Sequence, residues 1–151
     1  PDWVLDICGQ GMLQDELQQK ILAANAGTYI HLKGSSPDIM YEYLNCSLLV
    51  LTSRYEGFPM ALLEAMACGV PCVTYDCPFG PRSMITNMRN GILVEEGDKK
   101  EMVDKINYLI ENEKNRKKIG TNARKYVLQY SQKNIMDKWN ILFNNCLTLT
   151  S

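Results

Sequence analysis

Five short, nearly all-apolar runs separated by stretches of helical periodicity constrain this chain more than any other feature. Residues 3–8 (WVLDIC), 29–33 (YIHLK), 48–52 (LLVLT), 72–75 (CVTY) and 91–94 (GILV) each have the length of a β-strand. Between the first two, Leu13, Leu17, Ile21 and Ala24 repeat at the spacing of one helix face. Apolar strands alternating with helices predict a parallel sheet covered on both faces. The expected architecture is therefore α/β: a Rossmann-like, doubly wound parallel sheet whose strands are buried. No repeat, low-complexity tract or linker interrupts the pattern, so residues 1–151 are expected to form a single domain.

Local punctuation places the helices. Ser36 offers an N-cap with Pro37 at the first helical position, opening a helix toward Leu44. Pro59 opens another that Gly69 can close in the left-handed conformation. Asp98 and Glu101 have the spacing of a capping box, ahead of an apolar face made by Met102, Ile106, Leu109 and Ile110. Two further helices are expected near residues 116–130 and 132–147. The last carries a stripe of Ile135, Trp139, Leu142 and Cys146, expected to pack on this domain.

Composition narrows the function classes. With 16 basic against 17 acidic residues the net charge is −1, whereas nucleic-acid-binding domains have a clear basic excess, so no nucleic-acid partner is expected. No apolar run approaches a membrane span and no signal-peptide plan opens the chain, so the expected location is cytoplasmic. The six cysteines form no C-x-x-C pair and there is one histidine, His31. They read as small buried hydrophobes of a reduced protein, with no metal site. The chain opens at Pro1 and enters an apolar run almost at once, as a piece of a longer protein would.

In an open α/β sheet, ligands bind beyond the carboxyl ends of the strands. The most informative such segment is SRYEGFPMALLEAMACG, residues 53–69, where every residue between Pro59 and Cys68 is apolar except Glu64. A helix apolar all round is expected to be buried, and a buried carboxylate needs partners. Helical side chains lean toward the N-terminus, so Glu64 points back over Met60 and Ala61, whose backbone N–H groups belong to the unsatisfied first turn. That turn suits an anion, and a carboxylate one turn deeper can accept two hydrogen bonds from a vicinal diol such as ribose. Glu56 lies in the preceding loop, before Gly57, which lets a ligand approach the backbone closely. Two readings stay open: a carbohydrate-bearing nucleotide held by both glutamates, or Glu64 pairing with an arginine or a free N–H while Glu56 is a solvated loop charge.

The spacing Glu56-x7-Glu64 within EGFPMALLEAMACGVPCV resembles the signature of the retaining glycosyltransferases of family 4, which have the GT-B fold of two Rossmann-like domains. LDICGQG, HLKG, SLLVLTS and NGILV fall in the order that family has. The resemblance implies the C-terminal, donor-binding half of a GT-B enzyme that moves a hexosyl group from a nucleotide-diphosphate sugar, a UDP-sugar, to a glycan or lipid-linked acceptor in surface polysaccharide or glycolipid synthesis. It implies that Glu64 holds the ribose hydroxyls and Glu56 contacts the donor sugar. The backbone of Gly57, Phe58, Met60 and Ala61 would lie against sugar and diphosphate, with Lys33 near the nucleobase. No cofactor or metal is implied. The family's basic pair for the diphosphate falls ahead of Pro1, and the acceptor-binding N-terminal domain is absent, so the isolated piece is expected to be inactive.

Other features have plainer readings. Gly9-Gln10-Gly11 lacks the third glycine of a dinucleotide fingerprint and reads as a tight turn. His31 reads as a satisfied core side chain. The segment Asp76-Cys77-Pro78-Phe79-Gly80-Pro81-Arg82 resembles the family's C-P-x-G-P variant and reads as a structural turn. The basic run Lys114, Arg116, Lys117, Lys118, Arg124 and Lys125 reads as a solvated helix face, with peripheral contact to anionic lipid as the alternative. A nucleotide-sugar epimerase of GT-B-like fold and a degenerate binding domain are the competing functions.

Overall fold

The computed structural model describes residues 2–148; the outermost ends of the expected domain, Pro1 and residues 149–151, lie outside them. The chain divides into two compact units, Pro1–Glu42 and Tyr43–Ser151. The expected α/β class is present: all strand pairings are parallel, and helices separate the strands.

In the first unit, β1 (Leu5–Cys8) pairs with β2 (Ile30–Gly34) in the register Leu5 to Ile30, with an irregularity between Ile7 and Cys8. Helix α1 (Gln14–Ala23) connects them, burying Ile21. The expected burial of residues 3–8 is not found: β1 is mostly exposed, Leu5 at 48%. A two-stranded ribbon leaves both strands as edges, and one helix cannot cover both faces of it. The helix expected from Ser36 starts later. In α2 (Ile39–Asn45), Asp38 Oδ1 accepts the Tyr41 N–H at 3.0 Å, whereas Ser36 Oγ accepts the Asp38 N–H at 3.3 Å. Asp38 thus caps the helix and Ser36 shapes the turn before it.

The second unit holds a three-stranded sheet in the order β3 (Leu49–Leu51), β4 (Cys72–Tyr75), β5 (Ile92–Val94), paired Leu49 to Cys72 and Val73 to Ile92. Every residue of the central strand β4 is buried. Cys72 faces a core of Tyr43, Leu62, Met66, Met84, Ala123 and Val127, whereas Val73 and Tyr75 face Ile92, Val94, Met102, Leu109 and Ile119. Burial on both sides is what a continuous apolar run requires of a parallel strand.

Helix α3 (Met60–Ala67) runs from β3 to β4 and ends as expected. Gly69, at φ +78°, donates to Met66 O at 3.0 Å while Val70 donates to Ala65 O at 3.0 Å, a Schellman closure. Helix α3 is not buried all round: Leu62, Ala65 and Met66 are covered, whereas Met60 and Ala67 are exposed. It packs on β3, β4 and a later helix, so one face stays in solvent.

A short helix α4 (Pro81–Met84) follows β4, where sequence reading gave only a turn. Helix α5 (Lys99–Glu111) is capped by Asp98, whose Oδ1 accepts the Glu101 N–H at 2.8 Å. Helix α6 (Glu113–Val127) leads through a 3₁₀ turn, Leu128–Tyr130, into α7 (Gln132–Thr148). The apolar stripe of α7 does not pack on the domain as expected: Trp139 is 49% exposed and stacks on Phe143 at 5.5 Å. No described residue of α7 belongs to either core cluster, and the helix packs mainly on the 3₁₀ turn that precedes it. Among the described residues no helix is long and apolar enough to cross a membrane.

Cys72 and Cys77 are buried as expected, but Cys8 and Cys146 are exposed, on the uncovered strand β1 and the uncovered helix α7. His31 is likewise exposed on β2, with Nδ1 2.9 Å from Asp6 Oδ1, so it is a satisfied surface side chain and not a core one.

Candidate functional site

The loop after β3 and the first two turns of α3 carry Glu56, Gly57, Phe58, Met60, Ala61 and Glu64 within the second unit. Pro59 is buried and occupies the N-cap without a side-chain hydrogen bond. Leu62 and Leu63 both donate to the Pro59 carbonyl, at 3.0 and 3.1 Å. The N–H groups of Met60 and Ala61 are the ones this helix start leaves without an intrahelical acceptor.

Glu64, one turn deeper, is half-buried. Its partner is a residue the sequence reading did not single out: Tyr43 donates its hydroxyl to Glu64 Oε2 at 3.2 Å. Tyr43 is only 5% exposed. Burial, then the neighbouring Glu64 charge, push its hydroxyl up to about 12. Tyr43 therefore stays a neutral donor at any physiological pH and holds one carboxylate oxygen in place. Among the described residues, no protein group donates to the other oxygen, Oε1.

Glu56 is half-buried and held by packing. A Cβ placed on Gly80 would lie 2.9 Å from Glu56 Cβ and 3.0 Å from Pro59 Cδ, so the loop after β4 lies directly on the Glu56–Pro59 loop and only glycine fits there. Gly80 was visible in the sequence as part of a turn, but its close approach to Glu56 was not. Gly57 faces open space. Phe58 is half-exposed and meets the Tyr130 ring edge-on at 5.8 Å, and Tyr130 in turn lies 6.2 Å from Tyr126. Tyr126 donates its hydroxyl to Ser83 O at 2.9 Å, so an aromatic chain ties the Phe58 loop to the start of α4.

The loop after β4 is itself rigid. Arg82 grips Asp76 with two bonds, Nε to Oδ1 at 2.8 Å and Nη2 to Oδ2 at 2.7 Å, and Ser83 Oγ donates to Gly80 O at 2.7 Å. Phe79 adopts φ +68° with its side chain 77% exposed, a backbone conformation unfavourable for an aromatic residue.

Lys33 belongs to the first unit. Its Nζ lies 2.6 Å from Glu42 Oε2 and 3.5 Å from Asp6 Oδ2, and the Glu42 hydrogen bond raises its pKa. Among the described residues, no three His, Cys, Asp or Glu side chains gather as a metal site would require.

Residues 1–126 match the family model described as glycosyl transferases group 1. The chain is 33% identical over 140 residues to the poly(ribitol-phosphate) alpha-N-acetylglucosaminyltransferase of Staphylococcus aureus, covering 92% of this chain and 28% of that protein. It is 29% identical over 147 residues to the poly(glycerol-phosphate) alpha-glucosyltransferase of Bacillus subtilis, covering 97% of this chain and 22% of that protein. Among solved structures, TarM superposes with a TM-score of 0.86 at 32% identity, over 93% of this chain and 28% of that one. The pneumococcal O-GlcNAc transferase GtfA, solved with UDP and GlcNAc, gives 0.84 at 26% identity, over 95% of this chain and 29% of that one. The chain thus spans under a third of these relatives, and within that span it belongs to the group 1 glycosyl transferases, with the architecture of the C-terminal half of the GT-B fold.

Proposed function

We propose that this chain is the donor-binding domain of a retaining glycosyltransferase that moves a hexosyl group from a UDP-sugar to a glycan or lipid-linked acceptor in surface polysaccharide or glycolipid synthesis. The observation that carries the reading is the disposition of Glu64. One oxygen is fixed by a tyrosine that stays neutral, the other is left to a ligand, and both lie one turn inside a helix whose first N–H groups are unused. A ribose diol can donate to that carboxylate while the helix start receives a diphosphate oxygen. Relatives solved with UDP, among them GtfA, support the choice of nucleotide.

In this reading Glu56 orients the hydroxyls of the donor sugar and is not a nucleophile. Gly57, Phe58, Met60 and Ala61 form the surface against which sugar and diphosphate lie. Rate acceleration comes from electrostatics, because N–H groups and cations placed where the leaving diphosphate gains charge stabilise the transition state more than the ground state. The basic pair for that diphosphate and the acceptor-binding domain come from the remainder of the enzyme, so this piece alone binds donor weakly and transfers nothing. No metal or cofactor takes part. The setting is the cytoplasm or the cytoplasmic face of a membrane.

The test is product analysis with the full-length enzyme, a panel of nucleotide sugars and a glycan acceptor. The proposal predicts transfer from a UDP-sugar with the anomeric configuration kept. An inverted product refutes the retaining assignment, and free epimerised sugar formed without acceptor establishes the epimerase alternative.

A further inference from the structure

The segment between α4 and β5 is held more tightly than a connecting loop requires. Asn90, buried, accepts the Thr86 N–H at 2.7 Å and donates to Met84 O at 2.9 Å. Asn87 Oδ1 accepts the Leu93 N–H at 3.1 Å, and Arg89 donates its N–H to Thr86 O at 3.0 Å. From α6, Asn122 donates to Arg89 O at 2.9 Å. Met88 is meanwhile held at φ +61°, a conformation that side chains other than glycine disfavour. Strain that the surroundings over-determine points to a position being presented for use.

What the loop presents is Arg89, on a hollow of about 190 Å³ that Lys118, Asn115, Asn122 and Tyr108 also line. No carboxylate lines it, and among the described residues neither Arg89 nor Lys118 forms an ion pair. Neighbouring cations of α6 are committed: Lys117 pairs with Glu113, and Arg116 donates to the carbonyls of Leu109 and Ile110 at 2.7 and 3.0 Å. Asn115 Nδ2 donates to the Tyr108 hydroxyl oxygen at 2.7 Å, which leaves the Tyr108 proton to be donated elsewhere. Two uncompensated cations and a free hydroxyl donor around one hollow match the oxygens of a phosphate group.

We infer that this hollow binds a phosphate group, as a monoester, a diester or the free ion. The loop enters the amino end of β5, whereas the Glu56 and Glu64 loop leaves the carboxyl end of β3, so the two sites lie at opposite ends of one parallel sheet. The phosphate site therefore stands apart from the donor site and does not depend on it. Two sources carry this chemistry, the headgroup of an anionic lipid and a soluble phosphate.

The experiment uses the full-length enzyme, titrated with inorganic phosphate at constant ionic strength and followed by calorimetry. Saturable binding is expected, weakened at least about tenfold in Arg89→Ala/Lys118→Ala and retained in Arg89→Lys/Lys118→Arg. UDP affinity and melting temperature should stay as in the parent enzyme. Co-sedimentation with phosphatidylglycerol against phosphatidylcholine vesicles separates the sources: binding to the former that the alanine pair loses assigns a headgroup, and no vesicle binding assigns soluble phosphate. Failure of phosphate to saturate at tens of millimolar, or equal binding by a folded alanine pair, overturns the inference.

Discussion

Replacing Gly80 by alanine tests how the geometry of the site is set. Gly80 lies outside the left-handed region, at φ −118° and ψ −84°, and a methyl group there acts first through the atoms it meets. The new Cβ would lie 2.9 Å from Glu56 Cβ, and relaxed carbon contacts lie at about 3.5–4.0 Å, so the two must part by roughly 0.6–1 Å. Helix α3 is clamped between the sheet and α6, and Arg82 and Ser83 brace the loop after β4, so Glu56 is the group that gives way. A displacement of about 1 Å at a positioning group lowers rate by on the order of 10²-fold, and the overpacking itself costs about 1–3 kcal/mol of stability. Glu64, fixed by Tyr43, stays in place. In the full-length enzyme Gly80→Ala should therefore lower kcat/KM for transfer by one to two orders of magnitude while calorimetry finds UDP affinity nearly that of the parent. Undiminished transfer by a folded Gly80→Ala enzyme would refute the argument that this contact positions Glu56.

Three further outcomes follow from named contacts. Gly120→Ala would set a methyl 2.1 Å from the Gly69 carbonyl oxygen and 3.2 Å from Pro71 Cδ, where backbone cannot yield; urea melts should show a loss of about 3 kcal/mol or more. Asp98→Ala removes the cap of α5 and should lower stability by about 1 kcal/mol, read as a lower melting temperature. The folded state raises the Tyr43 hydroxyl from its ordinary 10 to about 12, so the stability this group supplies is complete below pH 10 and is lost as pH rises toward 12. Stability measured across that range should fall less steeply in Tyr43→Phe.

The fold was legible where the chain alone decides it. Residues 72–75 form a strand because an unbroken apolar run suits a strand buried on both faces, and Asp98 and Gly69 mark helix ends through their own hydrogen bonds. Where neighbours decide, sequence reading failed. The run at residues 3–8 is nearly all apolar like 72–75, yet β1 pairs with β2 alone, α1 packs on β2, and β1 stays mostly exposed. Ser36 and Asp38 both carry capping side chains two positions apart, and only backbone geometry selects Asp38. The glutamate pair stood out because two acids interrupt an apolar segment. Their supports did not, since Tyr43 lies 21 residues from Glu64 and an absent Cβ at Gly80 leaves no chemical signature.

The central claim rests on Glu64 as the carboxylate that receives a nucleotide. Calorimetric titration of UDP into the full-length enzyme and its Glu64→Ala variant tests it most directly. Hydrogen bonds to a charged acceptor contribute about 1.5–3 kcal/mol, so the variant should bind UDP at least tenfold more weakly while remaining folded, its melting temperature lowered by the loss of the Tyr43 hydrogen bond. Equal UDP affinity in the two folded proteins would contradict the account.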